Sequence, residues 1–384
     1  MFYLAAGRAP EILGFLMNIL IFNWRDMTHP QAGGAEIYLH EQARLWVEQG
    51  YRVAWICGAS SGHPARDVRD GIEILRMGGT YGVYLCAWWQ YIRLGWKPDV
   101  IVDAENGIPF FTPLYTRVPV VLLIFHVHTD VWKREFSGLA ARVGNWLESW
   151  LMPRVYRKNQ IVTISKSSEK MVRELFPSNP LELVYSAVDE NYHPGVKSDS
   201  PELLYVGRLK RYKYIDVILR AMAELKDSDC MLNIVGQGDD ESRLRTLCDE
   251  LGLNGRVCFL GFVSEEKKKE LLQRAWIFVN PSSMEGWGIT NIEANACGTP
   301  VLGADVPGIQ ESVSTGKSGW LIPCGDVHAL TDNLQRLLRH PEELDALRES
   351  SLQWADKFSW KESAAIFLDV LKKAVSAKSD QPGK

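Results

Sequence analysis

Short, nearly unbroken apolar runs alternate with stretches of helical periodicity along this whole chain, and that alternation limits its fold more than any other feature. The first half reads "NILIFNW", "EIYLHEQARLWVEQG", "RVAWICG", "DVIVDAE", "VPVVLLIFH" and "QIVTISK". The second repeats the style with "ELLYVGRL", "YIDVILRAMAELK", "MLNIVGQG", "VCFLGFV", "KKKELLQRA", "WIFVNP" and "PVLGAD". A strand that is apolar on both sides needs cover on both faces, and helices of ten or more residues between strands supply it. The pattern therefore predicts parallel sheets flanked by helices. The polar, turn-rich "DENYHPGVKSDSPE" separates the halves and places a linker near residues 189–201. The expected fold class is α/β, with two Rossmann-like doubly wound domains facing a cleft: residues 1–190, then residues 191–358. A last helix and tail, residues 359–384, has no strand after it and is expected to pack back towards the first domain. With 384 residues, each domain is long enough for its own core.

Composition narrows the function classes. A formal charge of −4 and a pI near 6.1 argue against a chain that holds nucleic acid through a general positive field, so no nucleic acid partner is expected. The 7 cysteines are scattered, with no C-x-x-C pair, which fits free thiols in a reducing cytosol. No uncharged apolar run reaches the length of a spanning helix. The run "ILGFLMNILIFNW" after Arg8 has the charged-then-apolar look of a signal peptide, yet it flows straight into "RDMTHPQAGGAE", as a first sheet strand would. Met17 is then an alternative start, with residues 1–16 an extension. A cytoplasmic location is expected, or a peripheral one at the inner face of the membrane.

Glycines stand where strands end: Gly33 and Gly34, Gly207, Gly236 and Gly238, Gly261, Gly286 and Gly288. Such positions let a ligand approach the backbone at the carboxyl ends of parallel strands. Neither the dinucleotide G-x-G-x-x-G nor the phosphate-loop G-x-x-x-x-G-K-[ST] occurs. Instead "YVGRLKRYKYIDV" places Arg208 and Lys213 at a strand-to-helix turn, where two cations suit a diphosphate or form a solvated basic loop. In "MEGWGITNIEANACGTP", Glu285 and Glu293 bracket a glycine loop. Thr290 and Glu293 have capping-box spacing, so Glu293 is either a helix cap or a ligand group.

Taken together, "YVGRLKRYK", "VGQG", "FLGFV" and "EGWGITNIEANACGTPVLGADVPGIQE" resemble the donor domain of the family-four retaining glycosyltransferases, which have the GT-B fold and an E-x-seven-E motif. "FNWRDMTHPQAGGAEIYLHE", "DAENGIPFFTP", "FHVHTDVW" and "VTISKSS" agree in order, so the resemblance covers nearly the whole chain after Met17. It implies a nucleotide-diphosphate sugar donor, UDP-sugar before GDP-sugar, and a saccharide or lipid-linked saccharide acceptor. It implies Glu293 on the nucleotide ribose, Glu285 and His126 on the donor sugar, and Arg208 and Lys213 on the leaving diphosphate. The diphosphate would also meet backbone at Gly33, Gly34, Gly288, Ile289 and Thr290, Gly207 and Gly236 would belong to the nucleotide and donor site, and the base would rest near Phe262 and Val263. Glu105, Asn106 and His128 are expected near acceptor or sugar. Neither a metal nor a cofactor is expected; the single D-x-D match, Asp227 to Asp229, reads as a surface turn. One departure is Tyr214, where relatives often carry glycine.

The acceptor side leaves alternatives open. Between Trp132 and Lys158, apolar residues recur at helical spacing with basic flanks, as in a core-facing helix or a membrane-surface helix for a lipid-linked acceptor. "CAWWQYIRLGW" suits a sugar or lipid groove, or core. Rival readings of the whole are an inactive nucleotide-sugar-binding partner subunit and a sugar-nucleotide epimerase of the same fold.

Overall fold

The computed structural model describes residues 16–127, 138–225 and 229–379. His128, Trp132, Asp227 and the first residues of the apolar start lie outside them. The chain forms two compact units, one of Met1–Thr163, Val172–Glu182 and Ala364–Lys384, the other of Ile164–Met171 and Leu183–Ser363.

In the first unit the described strands are β1 (Asn18–Phe22), β2 (Arg52–Cys57), β3 (Arg66–Arg69), β4 (Ile72–Arg76), β5 (Val100–Glu105), β6 (Val120–Ile124), β7 (Gln160–Thr163) and β8 (Leu181–Leu183). They order as β3-β4-β2-β1-β5-β6-β7-β8. β1 pairs in parallel with β2 and with β5, Ile19 lying opposite both Val53 and Val100. β3 alone is recorded antiparallel, hairpinned onto β4. β5 and β6 are buried along their whole length, which is why they read as unbroken apolar runs. From β5 the strands β6, β7 and β8 run outward in one direction, and from β1 the strands β2, β4 and β3 run outward in the other. The switch point of this sheet therefore lies between β1 and β5, at their carboxyl ends.

The helix Trp360–Ser379 joins this unit from Ala364 onward. Trp46, on the helix Gly34–Glu48, donates its indole N–H to the Ala364 carbonyl at 3.1 Å and meets the Phe367 ring edge-on at 5.2 Å. Phe367 and Leu371 are fully buried, each worth roughly 1.5–3 kcal/mol of apolar transfer. Apolar residues at helical spacing thus bind the last helix without any strand.

Two buried carboxylates tie loops to this sheet. Asp26, just after β1, holds the Arg76 guanidinium of β4 at 2.6 Å and accepts from the Thr28 hydroxyl at 2.6 Å. Asp103 of β5 accepts from the Phe110 amide at 2.9 Å, the Thr112 hydroxyl at 2.7 Å and the Tyr156 hydroxyl.

The helical stretch after residue 137 corrects a core-facing reading. Gly144, Glu148 and Met152 turn inward, whereas Leu139, Val143, Trp146 and Trp150 are exposed. A five-residue π segment, Leu147–Leu151, lies within it. The periodicity is helical as the spacing requires, but the apolar stripe faces outward. Trp88 and Trp89 of the helix Gly79–Ile92 are exposed likewise.

In the second unit the strands are β9 (Glu202–Val206), β10 (Met231–Val235), β11 (Val257–Gly261), β12 (Ile277–Asn280), β13 (Val301–Ala304) and β14 (Gly319–Ile322), ordered β11-β10-β9-β12-β13-β14 and paired in parallel. Alternate residues feed two cores: Leu203, Ile277 and Val279 pack on one face, Leu204 and Phe278 on the other. The switch point of this sheet is between β9 and β12.

Candidate active site

Two groups of sequence-selected residues sit at the two switch points, one in each unit. In the second unit β9 runs out through Gly207 and Arg208 into a 3-10 turn, Arg211–Lys213. Gly236, after β10, has φ +128, and a Cβ there would lie 1.9 Å from the Gly207 carbonyl oxygen. Only glycine lets the two strand ends run this close. Arg208 is exposed and its Nη2 donates to the Tyr212 hydroxyl at 3.2 Å. Lys213 forms an ion pair with Glu285, which follows β12, so the cation and the acid assigned to different parts of a donor converge on one spot. Tyr214 explains the departure from glycine only as a cost: it has φ +51 and ψ 36, the left-handed region that disfavours side chains by about 1–2 kcal/mol.

Beyond Glu285 the loop is anchored by Trp287, buried against Tyr185 at 4.7 Å and Phe358 at 5.2 Å. Gly288, at φ +82, is the N-cap of the helix Ile289–Ala296. The capping-box reading is thereby corrected. With Gly288 at the cap, Thr290 is already helical and Glu293 lies past the first turn, so its side chain caps nothing. The helix is held from below: Asn280 donates to Asn291 at 2.9 Å, and Asn291 donates to Ser312 at 2.8 Å. The amides of Ile289 and Thr290 stand at its positive end, suited to an anion.

Glu293 is buried. Its Oε1 accepts from Lys268 Nζ at 3.0 Å, while its Oε2 is buried with no hydrogen-bond partner among the described residues. Lys268 also meets Glu265 at 2.7 Å, and Glu265 accepts from the Tyr192 hydroxyl at 2.8 Å. Burial pushes the Glu293 carboxyl above the ordinary range and Lys268 pulls against that. For Lys268, burial works to lower the ammonium and the two glutamates outweigh it, leaving it raised. An unpaired buried carboxylate oxygen is costly, and a hydroxyl pair is a donor set that would satisfy it. Phe262 is 82% exposed after β11, and Val263 is partly buried beside it.

In the first unit Gly33 is the N-cap of the helix Gly34–Glu48. The Gly33 amide donates to Glu36 Oε2 at 2.8 Å and the Asn106 side-chain amide donates to Glu36 Oε1 at 3.0 Å. Nothing lies within 4 Å of where a Gly34 Cβ would be. Glu105 ends β5, buried, and accepts from the Gly107 amide at 3.1 Å. His126 lies two residues past the end of β6 and is half-buried. Burial raises the Glu36 carboxyl, and hydrogen bonding from Gly33 lowers it in part.

Sequence reading passed over Glu36, Lys268, Tyr192 and Glu311. Glu311 accepts from the Lys166 and Ser167 amides at 2.6 and 2.7 Å. For Glu36 a local signal existed, an acid three residues after a glycine cap. For Lys268 there was none: "EEKKKE" reads as a solvated helix face, and only the fold turns one of its lysines onto Glu293.

Residues 190–354 match the family described as Glycosyl transferases group 1, and residues 32–192 the one described as Glycosyltransferase Family 4. D-inositol 3-phosphate glycosyltransferase 2 of Catenulispora acidiphila is 32% identical over 402 residues, spanning 90% of this chain and 91% of that one. The chain belongs to the family-four glycosyltransferases. Sucrose-phosphate synthase from Thermosynechococcus elongatus shares the fold of this glycosyltransferase at a TM-score of 0.82 and 20% identity, over 94% of this chain and 100% of that one. Anabaena HepE, solved in complex with UDP and glucose, does so at 0.74 and 17%, over 93% and 100%. The glycosyltransferase thus has the GT-B fold, two parallel-sheet Rossmann-like domains. Among the described residues no helix is long and apolar enough to cross a membrane.

Proposed function

We propose that this glycosyltransferase moves a hexosyl group from a nucleotide-diphosphate sugar, a UDP-sugar in preference to a GDP-sugar, to a hydroxyl of a saccharide or lipid-linked saccharide, with retained anomeric configuration and without metal. The observation that carries the donor side is the pairing of Lys213 with Glu285 at the β9/β12 switch point, with the buried Glu293 on the helix that follows the Glu285 loop. The UDP and glucose bound to Anabaena HepE support the choice of donor, and the inositol phosphate glycosyltransferase relative supports a hydroxyl acceptor. In this reading Glu293 takes the two ribose hydroxyls and the amides of Gly288, Ile289 and Thr290 face the diphosphate. Arg208 and Lys213 meet the charge that develops as the sugar–phosphate bond breaks. The acceptor hydroxyl forms the new glycosidic bond on the face the diphosphate leaves, and its proton passes to a phosphate oxygen. Glu285 and His126 hold the sugar. Gly33 and Gly34 assist at the diphosphate, and Glu105, Asn106 and His128 contact acceptor or sugar.

The test is a thermal-shift panel of UDP-, GDP- and ADP-sugars followed by donor-release assays, since a ligand that binds the native state raises its melting temperature. A UDP-sugar is expected to give the largest shift and slow nucleotide release. A panel with no shift and no release would favour a subunit without activity, and interconversion of the sugar with no transfer would favour an epimerase. Glu293→Gln is expected to weaken UDP binding by about 1.5–3 kcal/mol, the range for hydrogen bonds to a charged group. Calorimetry showing unchanged affinity would remove Glu293 from the ribose.

A further inference from the structure

The first unit exposes two apolar helix faces that serve no core. On the helix Gly79–Ile92 these are Leu85 at 81% exposure, Trp88, Trp89 and Ile92. On the stretch after residue 137 they are Leu139 at 76%, Val143, Trp146 and Trp150, spaced so that all four share one helical face. The crossovers β4 to β5 and β6 to β7 run in the same direction across the sheet, so right-handed connection lays both helices on the same side of it. Residues 110–116 link them. Phe110 meets Tyr84 at 4.8 Å, Tyr115 meets Tyr91 at 6.0 Å, and Phe111 meets Tyr156 at 6.2 Å. Leu114, in that link, is itself 67% exposed.

The charge on this face has one sign. Residues 79–97 and 138–158 contain a single carboxylate, Glu148, and it is buried. Arg93, Lys97, Arg142, Arg154, Arg157 and Lys158 are exposed. Two of them lie on the exposed tryptophans: Arg154 is 4.0 Å from the Trp150 ring centroid and Arg93 is 4.2 Å from that of Trp89. The chain as a whole carries −4, so this face is basic against its own background. Tryptophan with arginine over its face, outward on a helix that cannot span, matches the headgroup layer of a bilayer, where the rings enter the interface and the cations meet lipid phosphate.

We propose that this face of the first unit docks onto an anionic lipid bilayer. The proposal does not depend on the identity of the donor, and it places the acceptor chemistry at a membrane surface. Co-sedimentation of the full chain with vesicles of phosphatidylcholine doped with phosphatidylglycerol, against pure phosphatidylcholine, tests it. Partition onto the anionic vesicles alone is expected, falling as salt is raised. R142Q/R154Q should lower that partition by about thirtyfold, two cations each contributing about fivefold at an anionic surface. W146S/W150S should lower it by at least about tenfold through lost apolar burial. Circular dichroism and donor release without vesicles should stay at wild-type values in both variants, which separates this result from any failure of the glycosyl-transfer reading. Equal partition onto both vesicle types, or onto neither, overturns the proposal. So does a wild-type dimer in size-exclusion that W146S/W150S dissociates while vesicles are ignored, because the face would then be covered by a second copy.

Discussion

Replacing Arg208 or Lys213 by alanine is expected to lower turnover by about two to three orders of magnitude each, the usual consequence of deleting one preorganised group that meets transition-state charge. The two variants should differ in a second respect. Arg208 is exposed and its recorded side-chain partner is the Tyr212 hydroxyl, so its loss should leave stability unchanged. Lys213 is paired with Glu285, and both side chains are largely covered, 11% and 20% exposed, so its loss also strands a carboxylate. A cycle with Glu285→Gln separates the roles. If Lys213 acts only by holding Glu285, the double variant should be no slower than Glu285→Gln alone. If the ammonium meets the leaving diphosphate, the double variant should be slower by a further large factor. Transfer should persist in excess EDTA, since two cations and helix-end amides can meet the diphosphate charge. Abolition by EDTA with rescue by magnesium or manganese would sink that part of the proposal.

The fold was legible because its signals are local and redundant. Strands buried on both faces must be apolar throughout, and β5, β6 and β12 announce themselves for that reason. The capping reading of Glu293 failed because cap position depends on a single φ value, and Gly288 at +82 starts the helix two residues before Thr290. The stripe at Leu139, Val143, Trp146 and Trp150 was legible as periodic, but its facing stayed open between core and surface, because periodicity fixes that residues share a side and not which side meets the core. Lys268 was hidden for a third reason. Its partner, Glu293, lies 25 positions away, and no spacing rule reaches so far. His126 and Glu105 were selected as strand ends; Glu105 ends β5 and His126 lies two residues past β6.

The largest stability effect is expected at Asp26 and Arg76, a pair that neither motif nor periodicity marked. Their side chains are 2% and 0% exposed. The guanidinium also donates to the Pro64 carbonyl at 2.9 Å and the Thr28 hydroxyl at 3.1 Å. The pair joins the loop leading to Gly33 and Gly34 to β4, so it holds the candidate diphosphate loop as well as the core. Asp26→Asn removes the nearer counter-charge and leaves the buried arginine only Asp67, 3.3 Å from Nη2, so it should cost about 3 kcal/mol, the low end for breaking a buried pair, whereas Asp26→Leu with Arg76→Met should recover much of the loss. A pH signature accompanies this. Burial pushes the Asp26 carboxyl up, but Arg76, Thr28 and Cys57 together outweigh it and hold it at about 2, below the ordinary 3.8. A carboxylate lowered on folding contributes stability above its unfolded value and loses it as pH falls through the folded one. About 2 kcal/mol should therefore drain from the wild type between about pH 4 and pH 2, beyond what Asp26→Asn loses there. Urea melts across that window should show the two stability curves converging as pH falls; parallel curves would mean that Asp26 is not ionised against Arg76 in the folded chain.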